Sequence, residues 1–316
     1  MKKILLVSLF TTLCMFANAQ SLVGNSTESR DLYANARSYL QKQDYANSIM
    51  VYHQAIQLEP NNLVYRRELA YVYMVANDLS KAEKMIHPLL KVDSADEETY
   101  QVACKIYSKM NRYDDAKEAI NKGIDKFPQA GMLYAEKGEL FTTQKKYKDA
   151  SEAWEKGVEQ APAFHLNYYN LTKVYFFTKR YLWAIIYGES FVNMESFSSR
   201  TEEIKKLVFE SYKLLISDLN SIALEGKVNR YENPKSFEEA CLSIFDNLRN
   251  VVTGGMNQNN LTMLRTRFLL DWNKKYAIKY PLELIDHQQE FILSGFYDCY
   301  NQWLFGRLDN EKQLGT

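Results

Sequence analysis

The sequence predicts an all-α protein in which five stacked helix-turn-helix repeats precede a further helical domain. The first observation is a 34-residue period, which holds through five segments without insertion or deletion. These segments begin at Ser29, Leu63, Glu97, Gly131 and His165. The second observation is the composition, with 23 Tyr and 16 Phe against 12 Gly and 6 Pro, which favours long packed helices. One helical hairpin cannot bury its apolar face alone, so copies at this period are expected to stack as a solenoid.

Three features recur within the repeats. The eleventh position is aromatic in every repeat: Tyr39, Tyr73, Tyr107, Phe141 and Tyr175. The twentieth position is small in every repeat: Ser48, Ala82, Ala116, Ala150 and Ala184. A proline ends three of the five repeats: Pro60, Pro128 and Pro162. This pattern predicts two antiparallel helices in each repeat, A and B, with helix B ended by the proline where one is present.

The charge and the motifs exclude several classes of function. Lys plus Arg and Asp plus Glu are both 39, and the basic excess that is usual in nucleic-acid-binding proteins is missing. The sequence has no phosphate-binding loop, paired Cys-x-x-Cys motif or nucleophile elbow. His287 and Glu290 lie three residues apart on one predicted helix, but a di-iron bundle needs such a pair twice with further carboxylates. We therefore predict no nucleic-acid partner, catalytic residue, metal or cofactor, and no enzyme activity.

Residues 1–19 are predicted to be a secretory signal peptide. A basic start precedes an apolar run and a small-x-small cleavage site, so we expect cleavage between Ala19 and Gln20. Residues 20–28 are then a linker. A transmembrane anchor is the alternative, but the apolar run is short for a bilayer. No later stretch of the sequence is long and apolar enough to span one, so we expect an exported protein without a membrane span after signal cleavage.

Residues 199–309 are predicted to form a separate C-terminal helical domain, because the period stops before them. A long amphipathic helix that includes 204–222 is expected to cover the open end of the repeats. Two shorter helices follow, and a last helix is expected over about 282–304. Residues 310–316 are predicted to be a flexible tail.

Three cysteines follow the predicted signal peptide, at Cys104, Cys241 and Cys299. Cys104 occupies the eighth repeat position, where a small buried side chain is needed, and is expected to belong to the core. Cys241 and Cys299 could form a disulfide in an oxidising compartment. The alternative is that they are two unrelated buried thiols.

The repeat pattern resembles that of the tetratricopeptide repeat (TPR) family over residues 29–198. The repeats would be 29–62, 63–96, 97–130, 131–164 and 165–198. The resemblance implies a right-handed solenoid whose helices A line a concave groove for a protein partner. The fifth repeat departs from the family pattern, with Thr172 at the eighth position, Gly188 at the twenty-fourth and no closing proline. We expect this repeat to be distorted.

The C-terminal stretch resembles a helical module that follows repeats in secreted proteins of Bacteroidetes-type bacteria. The matching segments are Asp271-Trp272, Lys279-Tyr280-Pro281, His287-Gln288 and Tyr300-Asn301-Gln302-Trp303-Leu304-Phe305-Gly306. This resemblance implies no defined activity. It does imply a location in the periplasm, at the outer membrane or outside the cell of a Gram-negative bacterium.

The TPR resemblance selects the residues of helix A that would line the groove. The candidate partner-binding residues are Tyr33, Arg37, Arg67, Tyr71, Lys105, Lys109, Tyr169, Lys173 and Phe176. Aromatic and Arg side chains are frequent anchors of binding surfaces, and this mixture suits a peptide or helix with acidic and apolar groups. The carboxylate clamp of cochaperones needs Lys and Asn where this chain has Tyr33 and Arg37, so no such clamp is predicted. The alternative is an ordinary solvated surface, with Phe176 and Phe177 covered by the C-terminal helices.

These observations favour a non-enzymatic scaffold of the cell envelope, which binds a partner peptide or helix in the groove. A ligand-binding or enzymatic activity in the C-terminal domain, with the repeats as a docking arm, is one alternative. A structural envelope protein that self-associates as a homo-oligomer is the other, because the ends of a solenoid remain open for stacking.

Overall fold

The computed structural model describes residues 23–225, 231 and 233–313, with side chains through Gly306. Its regular structure is helical throughout this part of the chain, which confirms the all-α prediction. The helices are α1 (Thr27–Gln41), α2 (Tyr45–Leu58), α3 (Leu63–Val75), α4 (Leu79–Leu89), α5 (Glu97–Lys109), α6 (Tyr113–Lys126), α7 (Gly131–Thr143), α8 (Tyr147–Gln160), α9 (His165–Phe177), α10 (Tyr181–Met194), α11 (Ser199–Leu224), α12 (Phe237–Leu248), α13 (Gln258–Lys275), α14 (Glu283–Leu293) and α15 (Tyr297–Gln313). A 3₁₀ turn, Arg249–Val252, follows α12. The predicted signal peptide and its cleavage site at Ala19 and Gln20 lie outside the described residues.

The 34-residue period is visible in the backbone. One left-handed residue stands between helix A and helix B of each repeat, at φ between 59° and 64°: Gln43, Asn77, Asn111, Lys145 and Lys179. The next amide then reaches back to the aromatic residue of the eleventh position, as in the 2.9 Å bond from the Asp78 N–H to the Tyr73 carbonyl. This left-handed cap satisfies carbonyls that the end of helix A leaves free.

A second periodic contact fixes the aromatic ring of the eleventh position. The Tyr73 hydroxyl lies 2.9 Å from Nε2 of His53 in the preceding helix B, and the Tyr107 hydroxyl lies 3.1 Å from Nδ1 of His87. In each pair the tyrosine ring is buried, and its hydroxyl hydrogen-bonds to the histidine that lies twenty residues earlier in the chain. His53 and His87, which lie 34 residues apart and so occupy the same repeat position, therefore belong to the packing between repeats.

The chain divides into two compact units, of which the first ends at Lys145 and the second begins at Lys146. In the first unit, α1 to α7 pack on their neighbours around a core that includes Tyr52, Leu69, Ile86 and Ile106, all fully buried. Cys104 is also fully buried, as expected for the small eighth position.

In the second unit, α8 to α15 share one core, in which side chains of the fifth repeat pack with those of the C-terminal helices. Tyr168 and Phe191 from the repeat lie in the same cluster as Ile204, Trp272 and Phe305. Helix α11 packs against α9 and α10, which agrees with its expected role as a cover for the last repeat. The compact units do not follow the predicted boundary after residue 198, and the five-part domain division remains a prediction.

The fifth repeat was expected to be distorted, but its helices keep the regular lengths. Helices α9 and α10 have 13 and 14 residues, the same as α7 and α8. The departures from the repeat pattern serve the contact with α11. A Cβ on Gly188 would lie 2.4 Å from a Val208 methyl and 3.1 Å from a Thr172 methyl, so only glycine permits this close approach. Thr172 satisfies its buried hydroxyl through the Tyr168 carbonyl at 2.8 Å.

One further expectation about the C-terminal helices is wrong, and the open question of a disulfide between Cys241 and Cys299 is answered. The single last helix over about 282–304 is two helices, because Gly295 adopts φ 76° between α14 and α15. A disulfide between Cys241 and Cys299 is not formed, since both thiols are free, and Cys299 is exposed and not buried. In the described part of the chain, no helix is both long and apolar enough to cross a membrane.

Candidate functional site

The predicted partner-binding residues of the first unit lie on helices α1, α3 and α5, and we call this surface the helix-A face. Tyr33 is half-buried, with its ring 5.9 Å from that of Tyr65 in a stacked arrangement and 6.2 Å from that of Tyr52. Arg37 is exposed, and its guanidinium lies 5.6 Å from the centre of the Tyr33 ring. Tyr71 is half-buried against the core. Arg37 on its tyrosine is therefore the accessible cation at this end of the face.

Arg67 was predicted to line the groove with its side chain open to a partner, but only 6% of that side chain is exposed. Its guanidinium pairs with Asp96, which caps the next helix A, with Glu98 from the next repeat and with Glu68, which is 3.1 Å away. Thr99 also donates two hydrogen bonds to Asp96, at 2.7 and 2.9 Å. Burial raises the pKa of Asp96, but the bonds from Thr99 and the charge of Arg67 outweigh it and hold the pKa below its usual value of 3.8. Arg67 is thus neutralised within the protein.

Lys105 and Lys109, the remaining cations of the face, also bond to acceptors within the protein, but each has fewer partners than Arg67. Lys105 lies 3.3 Å from Glu136, which is 31 residues later, the separation that also relates Arg67 to Glu98. Lys109 is exposed and donates to the Met74 carbonyl at 3.1 Å. Cations and carboxylates of successive repeats therefore alternate on the helix-A face, and it is not a continuous basic strip.

The other predicted residues lie in the second unit. Lys173 is 2.9 Å from Glu203 and 3.1 Å from the Tyr169 hydroxyl, which itself donates to Glu203 at 2.6 Å. Phe176 is half-buried, with its ring 6.0 Å from that of Tyr181. The alternative to partner binding, in which the C-terminal helices cover Phe177, is wrong on this point, because 79% of Phe177 is exposed.

A buried polar cluster in the second unit was not found by sequence reasoning. Arg265 of α13 and Glu189 of α10 form an ion pair with 2% and 1% of their side chains exposed. Glu189 also accepts from the Tyr212 hydroxyl at 3.0 Å and from the Gln288 amide at 2.7 Å. Asn301 accepts from Arg265 as well. The sequence signal was Glu189 itself, the one ionisable acid in the apolar helix α10.

The surroundings of this cluster indicate a structural role. Arg265 lies 5.4 and 5.2 Å from the ring centres of Tyr297 and Phe305. Burial raises the pKa of Glu189, although the charge of Arg265 opposes this shift. Because the ion pair is nearly inaccessible and its polar atoms have partners on several helices, the cluster fixes how α10, α11, α13, α14 and α15 pack.

The second unit also contains an open cleft of about 880 Å³ between α8, α10 and α14. Its apolar surface includes the rings of Tyr168, Trp183 and Tyr187, and Trp183 and Tyr187 stack with their centres 6.1 Å apart. Its polar residues come largely from α14: Glu283, Asp286, His287 and Glu290. A cleft of this size falls within the range of roughly 300–1,000 Å³ that is typical of ligand sites. Among the described residues, no group of three or more His, Cys, Asp or Glu side chains could hold a metal ion.

Comparison with known families supports the assignment of the repeats. Residues 39–103 and 105–164 match models of the tetratricopeptide repeat. The chain contains tetratricopeptide repeats. This confirms the family resemblance for the repeats, and the helix bounds continue the same period into α9 and α10 beyond the matched residues.

Individual known proteins resemble the chain only distantly. Protein O-mannosyl-transferase TMTC1 of Homo sapiens is 29% identical over 92 residues, which are 29% of this chain. The chain spans only 10% of the length of that relative. A thermophilic TPR protein of Thermus thermophilus has a TM-score of 0.49 and 12% identity, over 57% of this chain and 98% of the other. A tetratricopeptide repeat protein of Parabacteroides merdae has a TM-score of 0.43 and 13% identity, over 83% of this chain and 97% of the other.

Proposed function

We propose that this protein is a non-enzymatic scaffold, which binds a partner protein at the helix-A face of the first unit. Tetratricopeptide repeats are typical of protein–protein interaction, and they cover most of this unit. The observation that carries the proposal is the exposed Arg37, which lies over the half-buried Tyr33 at one end of the face. An Arg and an aromatic ring in contact are frequent anchors in protein interfaces.

The internal ion pairs define which residues would meet the partner. Arg67 is occupied by three carboxylates, so the partner is expected to contact the more accessible Arg37 and Lys109. Because carboxylates such as Glu98 alternate with these cations, the fitting partner is a peptide or helix with acidic groups at spaced positions and apolar groups between them.

A charge-reversal experiment tests the proposed face. The Arg37→Glu/Lys109→Glu variant is compared with Lys84→Glu/Lys117→Glu, which makes the same charge change at exposed residues of α4 and α6. Cross-linking in envelope extracts followed by quantitative mass spectrometry is expected to lose a partner with the first variant and retain it with the second. Equal capture by both variants, with unchanged helical circular dichroism, would rule out this face.

We further propose that the protein is exported to the periplasm, the outer membrane or the exterior of a Gram-negative bacterium, as the Bacteroidetes-type resemblance suggests. The support is the signal-peptide pattern of residues 1–19. Fractionation with intact-mass analysis is expected to find the chain outside the cytoplasm, with Gln20 as its first residue. A cytoplasmic chain that retains residues 1–19 would contradict export.

A further inference from the structure

The cleft of the second unit has an apolar floor with a partly exposed surface. Met194 at the end of α10 is 44% exposed there, and Trp183 and Tyr187 are only half-buried. Trp183, Tyr187 and Met194 of this floor belong to α10, the helix B of the fifth repeat, whereas the helix-A face is made by helices A of the first unit. The cleft is therefore a different surface from the one proposed above.

The wall opposite this floor is acidic. Glu283, Asp286 and Glu290 of α14 all line the cleft and are exposed, and their spacing of three and four residues places them along one face of the helix. Ile285 and Gln288 are buried, so the other face of α14 belongs to the core. Acids near a helix start are ordinary, because they favour the helix dipole, but Glu290 lies in the last turn, where the dipole disfavours it.

The charge of this wall is not balanced within the cleft. Among the residues that the structure describes, no Lys or Arg lines the cleft, and the one other ionisable group besides the acids and tyrosines is His287, which lies 3.6 Å from Glu290. Within residues 23–225, 231 and 233–313, Glu283 and Asp286 take part in no ion pair that the structure shows. A cationic group placed between this wall and the aromatic floor would gain both carboxylate and cation–π contacts.

We propose that the cleft binds a basic, apolar peptide segment of a partner protein. Its aliphatic or aromatic side chains would lie on Trp183, Tyr187 and Met194, and its Lys or Arg side chains would face Glu283 and Asp286. The charge complementarity selects this occupant, since an acidic segment would be repelled by the same wall. The site does not depend on the proposed function of the helix-A face.

Direct binding of synthetic peptides to the purified full chain tests the proposal. The probe is a fluorescein-labelled amphipathic peptide with Arg on one side and Leu on the other. Two matched peptides carry Glu in place of Arg, or Ser in place of Leu. Fluorescence anisotropy is expected to show saturable binding of the Arg/Leu peptide that weakens with added salt, and at least about tenfold weaker binding of both matched peptides.

Protein variants then locate the binding. Glu283→Lys/Asp286→Lys is expected to weaken binding of the Arg/Leu peptide by about tenfold or more. Met194→Ser is expected to weaken it by about fivefold. Asp218→Lys/Glu225→Lys makes the same charge change at exposed residues outside the cleft and is expected to bind like the parent. Arg37→Glu/Lys109→Glu should also bind the peptide normally, which separates this site from the helix-A face.

The proposal is overturned if the Arg/Leu peptide shows no saturable binding. It is also overturned if both lysine double variants weaken binding equally, since the effect would then be general charge. Equal binding of the Arg/Leu and Arg/Ser peptides would likewise contradict an apolar floor as part of the site. Because the substituted acids are exposed, circular dichroism is expected to confirm that the variants remain folded.

Discussion

The two compact units hold their charged side chains in different ways. In the first, charges link one repeat to the next near the surface, as in the pair of Arg67 with Glu98, whose side chain is 49% exposed. In the second, Arg265 and Glu189 form one ion pair that is almost completely buried and has no counterpart in the repeats. The first unit distributes its ion pairs along the repeats, whereas the second unit also contains one buried polar cluster.

This difference predicts how much stability each unit loses when a charged side chain is removed from an ion pair. A surface carboxylate that loses its partner is hydrated again at little cost, but a buried one is not. The two responses are separable, because all four tryptophans of the sequence lie after residue 145: Trp154, Trp183, Trp272 and Trp303. Tryptophan fluorescence therefore follows the second unit alone, whereas circular dichroism follows both.

The largest effect is expected from Arg265→Met in the second unit. The change leaves Glu189 buried without its counter-charge, so the free energy of unfolding should fall by about 3–5 kcal/mol. Denaturant unfolding followed by tryptophan fluorescence measures it. The matched Arg265→Met/Glu189→Gln variant should recover much of the loss, because the buried charge is gone. A loss below about 1 kcal/mol in the single variant would break the comparison between the units.

A smaller effect is expected from Arg67→Met in the first unit. Asp96 and Glu98 are 39% and 49% exposed at their side chains, so water replaces part of the lost interaction. The free energy of unfolding of this unit should fall by about 1–2 kcal/mol, as judged by circular dichroism. The tryptophan transition should stay where it is. A shift of that transition as large as the one from Arg265→Met would contradict separate responses.

The smallest effect is expected from Asp96→Asn, and it depends on pH. Asparagine still caps α5 but carries no charge, so at neutral pH the variant should be less stable by about 1 kcal/mol or less. The pKa of Asp96 is lowered by folding, so its carboxylate stabilises the folded state above the usual value of 3.8. That stabilisation is lost as the pH falls through the lowered pKa. The free energies of unfolding of the parent and of Asp96→Asn, measured across the acidic range, should therefore converge as the pH falls. A difference between them that does not change with pH would contradict this prediction.

The sequence predicted the repeated part well because each element is specified several times. The left-handed residue, the aromatic of the eleventh position and the start of helix B recur together, so Gln43, Asn77 and Asn111 all mark the same turn. It failed for Arg67, since repeat position alone assigned this residue to an open surface. The useful signal was Asp96, the acid that caps α5 and pairs with Arg67.

The second unit was harder to predict because its contacts are not periodic. Glu189 and Arg265 are 76 residues apart, and no pattern in the sequence relates them. Glu283 and Asp286 resemble ordinary acids of a first helical turn until the structure places them in one cleft with Trp183 and Tyr187. Local propensity identified most of these helices, but not the break at Gly295 or the way the helices pack.

The cysteines provide a kinetic readout of each unit on the native sequence. Cys104 lies in the first unit and Cys241 in the second, both are buried, and burial raises the pKa of both thiols. Neither thiol can react until its surroundings open, whereas the exposed Cys299 should react at once and supply an internal reference. Mass-resolved thiol alkylation over time would therefore give the opening rate of each unit from one sample.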